Sequence, residues 1–166
     1  MKRVLASRKY RSHRGKMVGA IALFLSVIVG VFSISLGYPE AALAETQQST
    51  APEGARVYII APADGATVTS NVTVKFGLQG MGIAPAGVDI KNTGHHHLLI
   101  DVTEPPDVTE PLPANDHIKH FGAGQTETEL TLDPGKHTLQ LILGNYAHIP
   151  HDKPVISTPV TITVED

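Results

Sequence analysis

Short runs in which apolar and polar residues alternate dominate the sequence from residue 56 onward. The clearest runs lie at 72–76, 95–102, 126–132, 139–143 and 160–164. Alternation with a period of two is typical of strands that bury one face, and turn-forming residues separate the runs. About seven such strands, with no sustained helical period, predict an all-β fold: an immunoglobulin-like antiparallel β-sandwich.

The N-terminal 44 residues follow a different pattern. Residues 1–16 contain seven lysines and arginines and no acidic residue, residues 17–36 are apolar, and Ala42-Leu43-Ala44 follows. This order predicts a secretory signal peptide over residues 1–44, cleaved after Ala44. The apolar run is also long enough to span a bilayer, so an uncleaved anchor is the alternative. In both cases we expect the domain to be exported, either periplasmic or secreted.

The expected mature part consists of a polar linker, residues 45–54, and the sandwich domain, residues 55–166. It contains 6 basic and 15 acidic residues, a formal charge of −9 with neutral histidines. Such an acidic surface repels phosphate backbones and argues against a nucleic-acid partner. The chain contains no cysteine, which excludes disulfides and thiolate metal sites. We expect contact with a membrane only through the signal segment, if that segment stays uncleaved.

Histidines are the residues most able to carry chemistry in this chain. Eight of the nine lie in the mature part: His95, His96, His97, His117, His120, His137, His148 and His151. At neutral pH the imidazole is an uncharged nitrogen ligand. Several converging imidazoles bind copper(II) or zinc without any cysteine. The sequence therefore predicts a transition-metal site for copper(II) or zinc.

Strand parity indicates which histidines converge. His95 and His97 have the parity opposite to Leu98, so we expect them on the face that does not form the core. In a sandwich of this type the strand 95–102 pairs antiparallel with 136–144, which places the start of one beside the end of the other. The loop that follows residue 144 and the long loop 103–125 then supply more histidines at that end. The candidate ligands are His95, His97, His148, His151, His117 and His120.

Two histidines have parities that indicate a structural role. His96 points inward with Leu98, and His137 shares the parity of Leu139 at the opposite end of its strand. We expect both to be buried and hydrogen-bonded. His117 and His120 are three residues apart, a spacing that would bring their rings together on a helical turn.

Catalytic templates are absent from the sequence. It has no G-x-S-x-G, H-E-x-x-H or P-loop motif, and the glycines of Phe121-Gly-Ala-Gly124 indicate a turn. We therefore expect a binding protein and not an enzyme. The alternatives to a metal site are a non-catalytic binding module for an envelope protein or a glycan, with structural histidines, and a pH-responsive histidine surface. A hydrolase that uses histidine and carboxylate is a third hypothesis, for which the sequence offers no template.

Several segments resemble a family of small exported bacterial domains of unknown function. The two most specific are Gly94-His-His-His-Leu-Leu-Ile-Asp101 and His120-Phe-Gly-Ala-Gly-Gln-Thr-Glu127. The resemblance extends over nearly all of the mature part and implies no particular activity. The repeat of Asp-Val-Thr-Glu-Pro at 101–105 and 107–111 is a local departure from the family pattern, and we expect it to form a solvated loop.

Overall fold

A computed structural model describes residues 48–166 of the chain. The predicted signal peptide, residues 1–44, lies outside the described residues, and its cleavage stays a prediction. Within residues 48–166 the chain forms no helix that is long and apolar enough to cross a bilayer.

The described residues form nine strands and no helix. The strands are β1 (Arg56–Ala61), β2 (Thr67–Thr69), β3 (Asn71–Gln79), β4 (Gly82–Ile83), β5 (Thr93–Ile100), β6 (Ile118–His120), β7 (Glu127–Thr131), β8 (Gly135–Gly144) and β9 (Val160–Glu165). One sheet has the order β1-β3-β7. The other has the order β2-β9-β8-β5-β4, and β6 also pairs with β5. The prediction of an all-β, immunoglobulin-like sandwich is confirmed.

The main core lies between the two sheets and is built from the alternating apolar residues of the long strands. β3 contributes Val72, Val74 and Phe76, while β8 contributes Leu139, Leu141 and Leu143; all six side chains are buried. Because side chains alternate along a strand, the residues between these positions face outward. Period-two patterning therefore explains the sandwich without any metal or disulfide.

A second apolar cluster covers the outer face of the larger sheet. It contains Leu99, Leu112, Ile118 and Ile142, and the loop between β5 and β6 supplies part of it. As a result β5 is buried on both faces from Gly94 to Ile100. Antiparallel sheets usually leave one face to solvent, so covering both faces of a central strand creates a second interior.

Three features of the fold differ from the sequence expectations. Six strands have five or more residues, and the short strands β2, β4 and β6 bring the number to nine, against about seven expected. Two of the short strands pair in parallel, β2 with β9 and β4 with β5. The strand predicted at 95–102 ends at Ile100, because Asp101 adopts a positive φ of 56°. Part of the predicted linker packs on the domain, with Ala51 buried in the main core.

Candidate metal centre

Four imidazoles converge on the outer face of the larger sheet, at the end where β5 begins. They belong to His95, His97, His120 and His148, which we call the four-histidine group. One ring nitrogen from each lies within 4.8 Å of the chosen nitrogens of the other three. The distances between ring centroids run from 4.7 to 6.0 Å. The group is geometrically able to hold one metal ion.

His95 and His97 form the inner half of the group. They sit on β5, and their side chains share the outer face because they are two residues apart. The predicted antiparallel pairing of β5 with β8 is confirmed, with His95 opposite Gly144 and His97 opposite Ile142. Both histidines are completely buried, with ring centroids 4.9 Å apart. The central strand thus presents two imidazoles from a rigid position.

His120 comes from the end of β6, a three-residue edge strand. β6 pairs antiparallel with β5 and places His120 directly opposite His97. Cross-strand partners on one face have close side chains, and the two ring centroids are 5.1 Å apart. His120 is exposed, so it lies on the solvent side of the group.

His148 is held by a tight turn that follows β8. The amide oxygen of Asn145 accepts hydrogen bonds from the backbone N–H groups of Ala147, at 2.9 Å, and Ile149, at 3.1 Å. His148 itself has a positive φ of 68°, an uncommon conformation for a residue with a side chain. Its Nδ1 lies 3.2 Å from Nε2 of His95. Sequence reasoning missed the role of Asn145, although Gly-Asn at the end of a strand is a turn signal.

The inner imidazoles are held in the neutral form that binds metals. Burial, reinforced by the neighbouring histidines, lowers the pKa of His95 to about 4 and the pKa of His97 to about 3. Partial desolvation of its ring, together with the neighbouring His148, lowers the pKa of His120 as well. Among the described residues, five buried ring nitrogens have no hydrogen-bond partner: Nδ1 of His95, both ring nitrogens of His97, Nε2 of His96 and Nε2 of His151. Buried polar nitrogens without partners are rare and costly, and a metal ion in the group would take one nitrogen of the His97 ring as a ligand.

The structure does not bring His117 and His151 into the group. The chain is extended through β6, so residues three apart face opposite sides, and the helical turn expected for His117 and His120 does not form. His117 is exposed, with Nδ1 3.0 Å from the carbonyl oxygen of Ile100. His151 lies beyond the turn, where the chain runs back along β8, and its Nδ1 is 2.8 Å from the hydroxyl of Ser49.

The two predicted structural histidines differ from each other. His96 points into the main core as expected, packs on the ring of Phe76, and has Nδ1 3.3 Å from the carbonyl oxygen of Gln125. The prediction that His137 is buried in the core is wrong. Its ring is half-buried at the end of the sheet, where acceptors on Asp101, at 2.7 Å, and Asp133, at 2.8 Å, hold it.

A family model for a domain of unknown function, DUF4399, matches residues 74–165. The chain belongs to the DUF4399 family. The resemblance to a family of domains of unknown function is thereby confirmed. All members of the four-histidine group lie inside the stretch that the DUF4399 model covers.

Other comparisons add little to the family assignment. No curated protein matches the sequence of this DUF4399 chain. Among solved structures, a match is found to the fibronectin(III)-like modules of Clostridium thermocellum CbhA, at 16% sequence identity and a TM-score of 0.35. The match covers 66% of this chain and 95% of the other. The sandwich assignment rests on the strand order and pairing described above.

Proposed function

We propose that this DUF4399 domain binds one copper(II) or zinc ion through His95, His97, His120 and His148. The observation that carries the proposal is the convergence of four imidazoles around buried nitrogens that have no partner among the described residues. A core histidine that serves the fold normally has its polar atoms hydrogen-bonded. Within residues 48–166, His97 is the histidine with no such partner on either buried nitrogen, and a metal ion would bind one of the two.

The arrangement suits an ion that is coordinated by four ligand atoms, all of them imidazole nitrogens. Tetrahedral zinc–imidazole bonds of about 2.0–2.1 Å require nitrogens about 3.3 Å apart. The present separations, up to 4.8 Å, need a small inward movement of the rings. His120 is exposed and His148 half-buried, so the outer pair can make this movement while the inner pair stays fixed. Imidazole suits both metals, and copper(II) binds nitrogen ligands more tightly than zinc does.

The proposed setting is outside the cytoplasm, and the proposed activity is binding without catalysis. The N-terminal pattern of basic, apolar and small residues supports export. N-terminal sequencing of the protein recovered from the cell envelope should begin at Glu45. A full-length chain that fractionates with membranes would contradict cleavage and support the anchor.

The direct test is a calorimetric titration of the tag-free protein with copper(II) and with zinc at pH 7.5. We expect binding of one ion, tighter than about 10 μM for at least one of the two metals. His148→Ala should weaken that binding by at least about tenfold. His97→Ala combined with His148→Ala should cost less than the sum of the single changes, because either change alone dismantles the site.

His117→Ala is the matched control for these variants. It also removes one imidazole from the chain, but His117 lies outside the four-histidine group. Its metal affinity should equal that of the unmodified protein. Equal losses in the His117 and His148 variants would indicate nonspecific binding to surface histidines. No binding by the unmodified protein would leave the envelope-protein or glycan module as the better hypothesis.

A further inference from the structure

We infer that Gly122 is a positioning residue for the outer ligand His120, an inference that rests on the proposed metal site. Gly122 belongs to the segment Phe121-Gly-Ala-Gly124. The backbone conformation of the turn requires a glycine at only one of the two glycine positions. Gly124 has a positive φ of 85°, a conformation that favours glycine. Gly122 is absent from the positive-φ positions, so its backbone does not require glycine. The reason for a glycine at 122 must be the space around it.

The space at Gly122 is occupied by the ring of His120. A Cβ atom built on Gly122 would overlap Cε1 of His120 and lie 2.5 Å from its Nε2. Real carbon atoms do not approach so closely, so an alanine at this position and the present ring position exclude each other. The imidazole of His120 therefore lies in the space that a side chain on residue 122 would fill, and we call this space the slot.

The opposite side of this slot is closed as well. The same Cβ would lie 3.2 Å from the Cβ of Ala86. Ala86 is fixed beside Gly122, because its N–H donates a 2.8 Å hydrogen bond to the carbonyl oxygen of Gly122. A new methyl group could not turn away from the imidazole without breaking this contact. The ring of His120 is the part that must move.

Displacing the His120 ring should weaken metal binding more than it lowers the stability of the fold. His120 is exposed, so its ring can swing into solvent without opening the core. A second glycine of the site offers the opposite case. A Cβ on Gly144 would lie 2.8 Å from Cε1 of His97, whose ring is completely buried and cannot swing into solvent. A comparison of alanine variants at Gly122 and Gly144 therefore distinguishes an effect on ligand position from an effect on core packing.

The experiment compares three single glycine-to-alanine variants of the tag-free full chain. Gly122→Ala should weaken copper(II) or zinc binding by about 10–100-fold, the usual effect of losing a residue that orients a ligand. Its urea unfolding midpoint without metal should stay unchanged. Gly144→Ala should lower both affinity and midpoint. Gly82→Ala is the control that changes neither, because its Cβ would meet only a methyl group of Thr93 at an ordinary 3.4 Å.

A further variant and a second readout complete the test. In the His120→Ala background, Gly122→Ala should have no further effect on affinity, because the ring that it displaces is gone. In the metal-free protein, Gly122→Ala should speed modification of His120 by diethylpyrocarbonate, measured by peptide mass spectrometry. In a protein that binds metal, unchanged affinity would overturn the inference, and so would an unchanged modification rate of His120.

The two readouts separate the inference from the proposed function. If the unmodified protein binds neither metal, the proposed function fails, and with it the ligand role of His120. The modification rate then still decides whether Gly122 positions the ring. If the unmodified protein binds metal and Gly122→Ala binds it equally well, the proposed function stands and the role of Gly122 is overturned.

Discussion

His97 is the residue at which a metal ligand and a structural histidine differ most clearly in their physical consequences. It is completely buried, and neither ring nitrogen has a hydrogen-bond partner among the described residues. His151 is almost equally buried, but its Nδ1 lies 2.8 Å from the hydroxyl of Ser49, and only its Nε2 is without a partner in the described part of the chain. Unpaired buried polar atoms cost stability, while paired ones contribute to it. Replacement by leucine, which has a similar size and no polar atoms, should therefore affect the two positions in opposite directions.

For His97→Leu we expect the metal-free protein to be as stable as the unmodified protein or more stable by about 1–2 kcal/mol. Metal binding should be lost. The matched variant His151→Leu should lower the free energy of unfolding by about 1 kcal/mol and leave metal affinity unchanged. Urea unfolding in the presence of a chelator measures the first quantity, and calorimetry the second. A destabilised His97→Leu protein would mean that His97 serves the fold.

His137 provides a pH-dependent contribution at the other end of β8. Its hydrogen bond to the carboxylate of Asp101, together with the carbonyl of Asp133, raises the pKa of His137 above its ordinary value. A folded-state pKa above the unfolded one means that the contribution is fully present below about pH 6.5 and is lost as the pH rises through the folded value. The pair is partly exposed, so its contribution should not exceed about 1 kcal/mol.

The variant His137→Gln isolates this contribution. Relative to the unmodified protein it should be less stable at pH 6, and the difference should shrink by pH 8.5. Other histidines titrate equally in both proteins, so their effects cancel in the comparison. Urea unfolding at the two pH values gives the measurement. A stability difference that grows with pH would contradict the protonated pair.

At the scale of elements, the alternation of apolar and polar residues along a strand predicted side-chain positions better than the composition of the loops did. The parity of 95–102 placed His95 and His97 on one face, and its pairing with 136–144 was also predicted. The period-two rule fails outside long strands: β6 is too short to show a period, so its pairing with β5 could not be predicted. The same limit applies to His151, because a turn of a few residues decides where the following chain runs.

The turn after β8 is the element on which the position of His148 depends. Asn145→Ala removes the acceptor for two backbone N–H groups in a residue that is 1% exposed. We expect a loss of about 1–3 kcal/mol in the free energy of unfolding. Metal affinity should fall by about tenfold, because His148 is no longer held. Urea unfolding and metal titration on the same preparation measure both effects.

Asp107→Ala is the control for the turn variant. Asp107 also accepts a backbone hydrogen bond two residues along, from Thr109 at 2.8 Å, but it is exposed and lies in the loop between β5 and β6. It should leave metal affinity unchanged. If Asn145→Ala lowers stability and not affinity, then another contact holds His148. The first candidate for that contact would be the 3.0 Å hydrogen bond from the N–H of Leu112 to the carbonyl oxygen of His148.

At the scale of the whole molecule, the four-histidine group is separate from the main core. The core between the two sheets is built mainly from apolar residues, with His96 among them, and none of the four histidines of the group belongs to it. The group instead lies on the outer face of the larger sheet, where β6 and the turn after β8 supply its outer half. The domain should therefore fold without metal, unlike small zinc domains whose folding depends on the ion. The metal would then stabilise a structure that already exists.

This separation predicts a defined thermal response. Metal that binds only the folded state, at a free concentration one hundred times its dissociation constant, adds about 2.7 kcal/mol to the free energy of unfolding. For a domain of this size the gain corresponds to a rise of about 10 °C in the unfolding midpoint. Scanning calorimetry should show a cooperative transition in chelator and the same transition at higher temperature with metal. For His148→Ala at the same metal concentration the shift should be at most about half as large, because a tenfold loss of affinity leaves about 1.4 kcal/mol. If the protein is unfolded at 25 °C in chelator, the metal is required for folding. That result would contradict a site on the outer face of a core that folds independently.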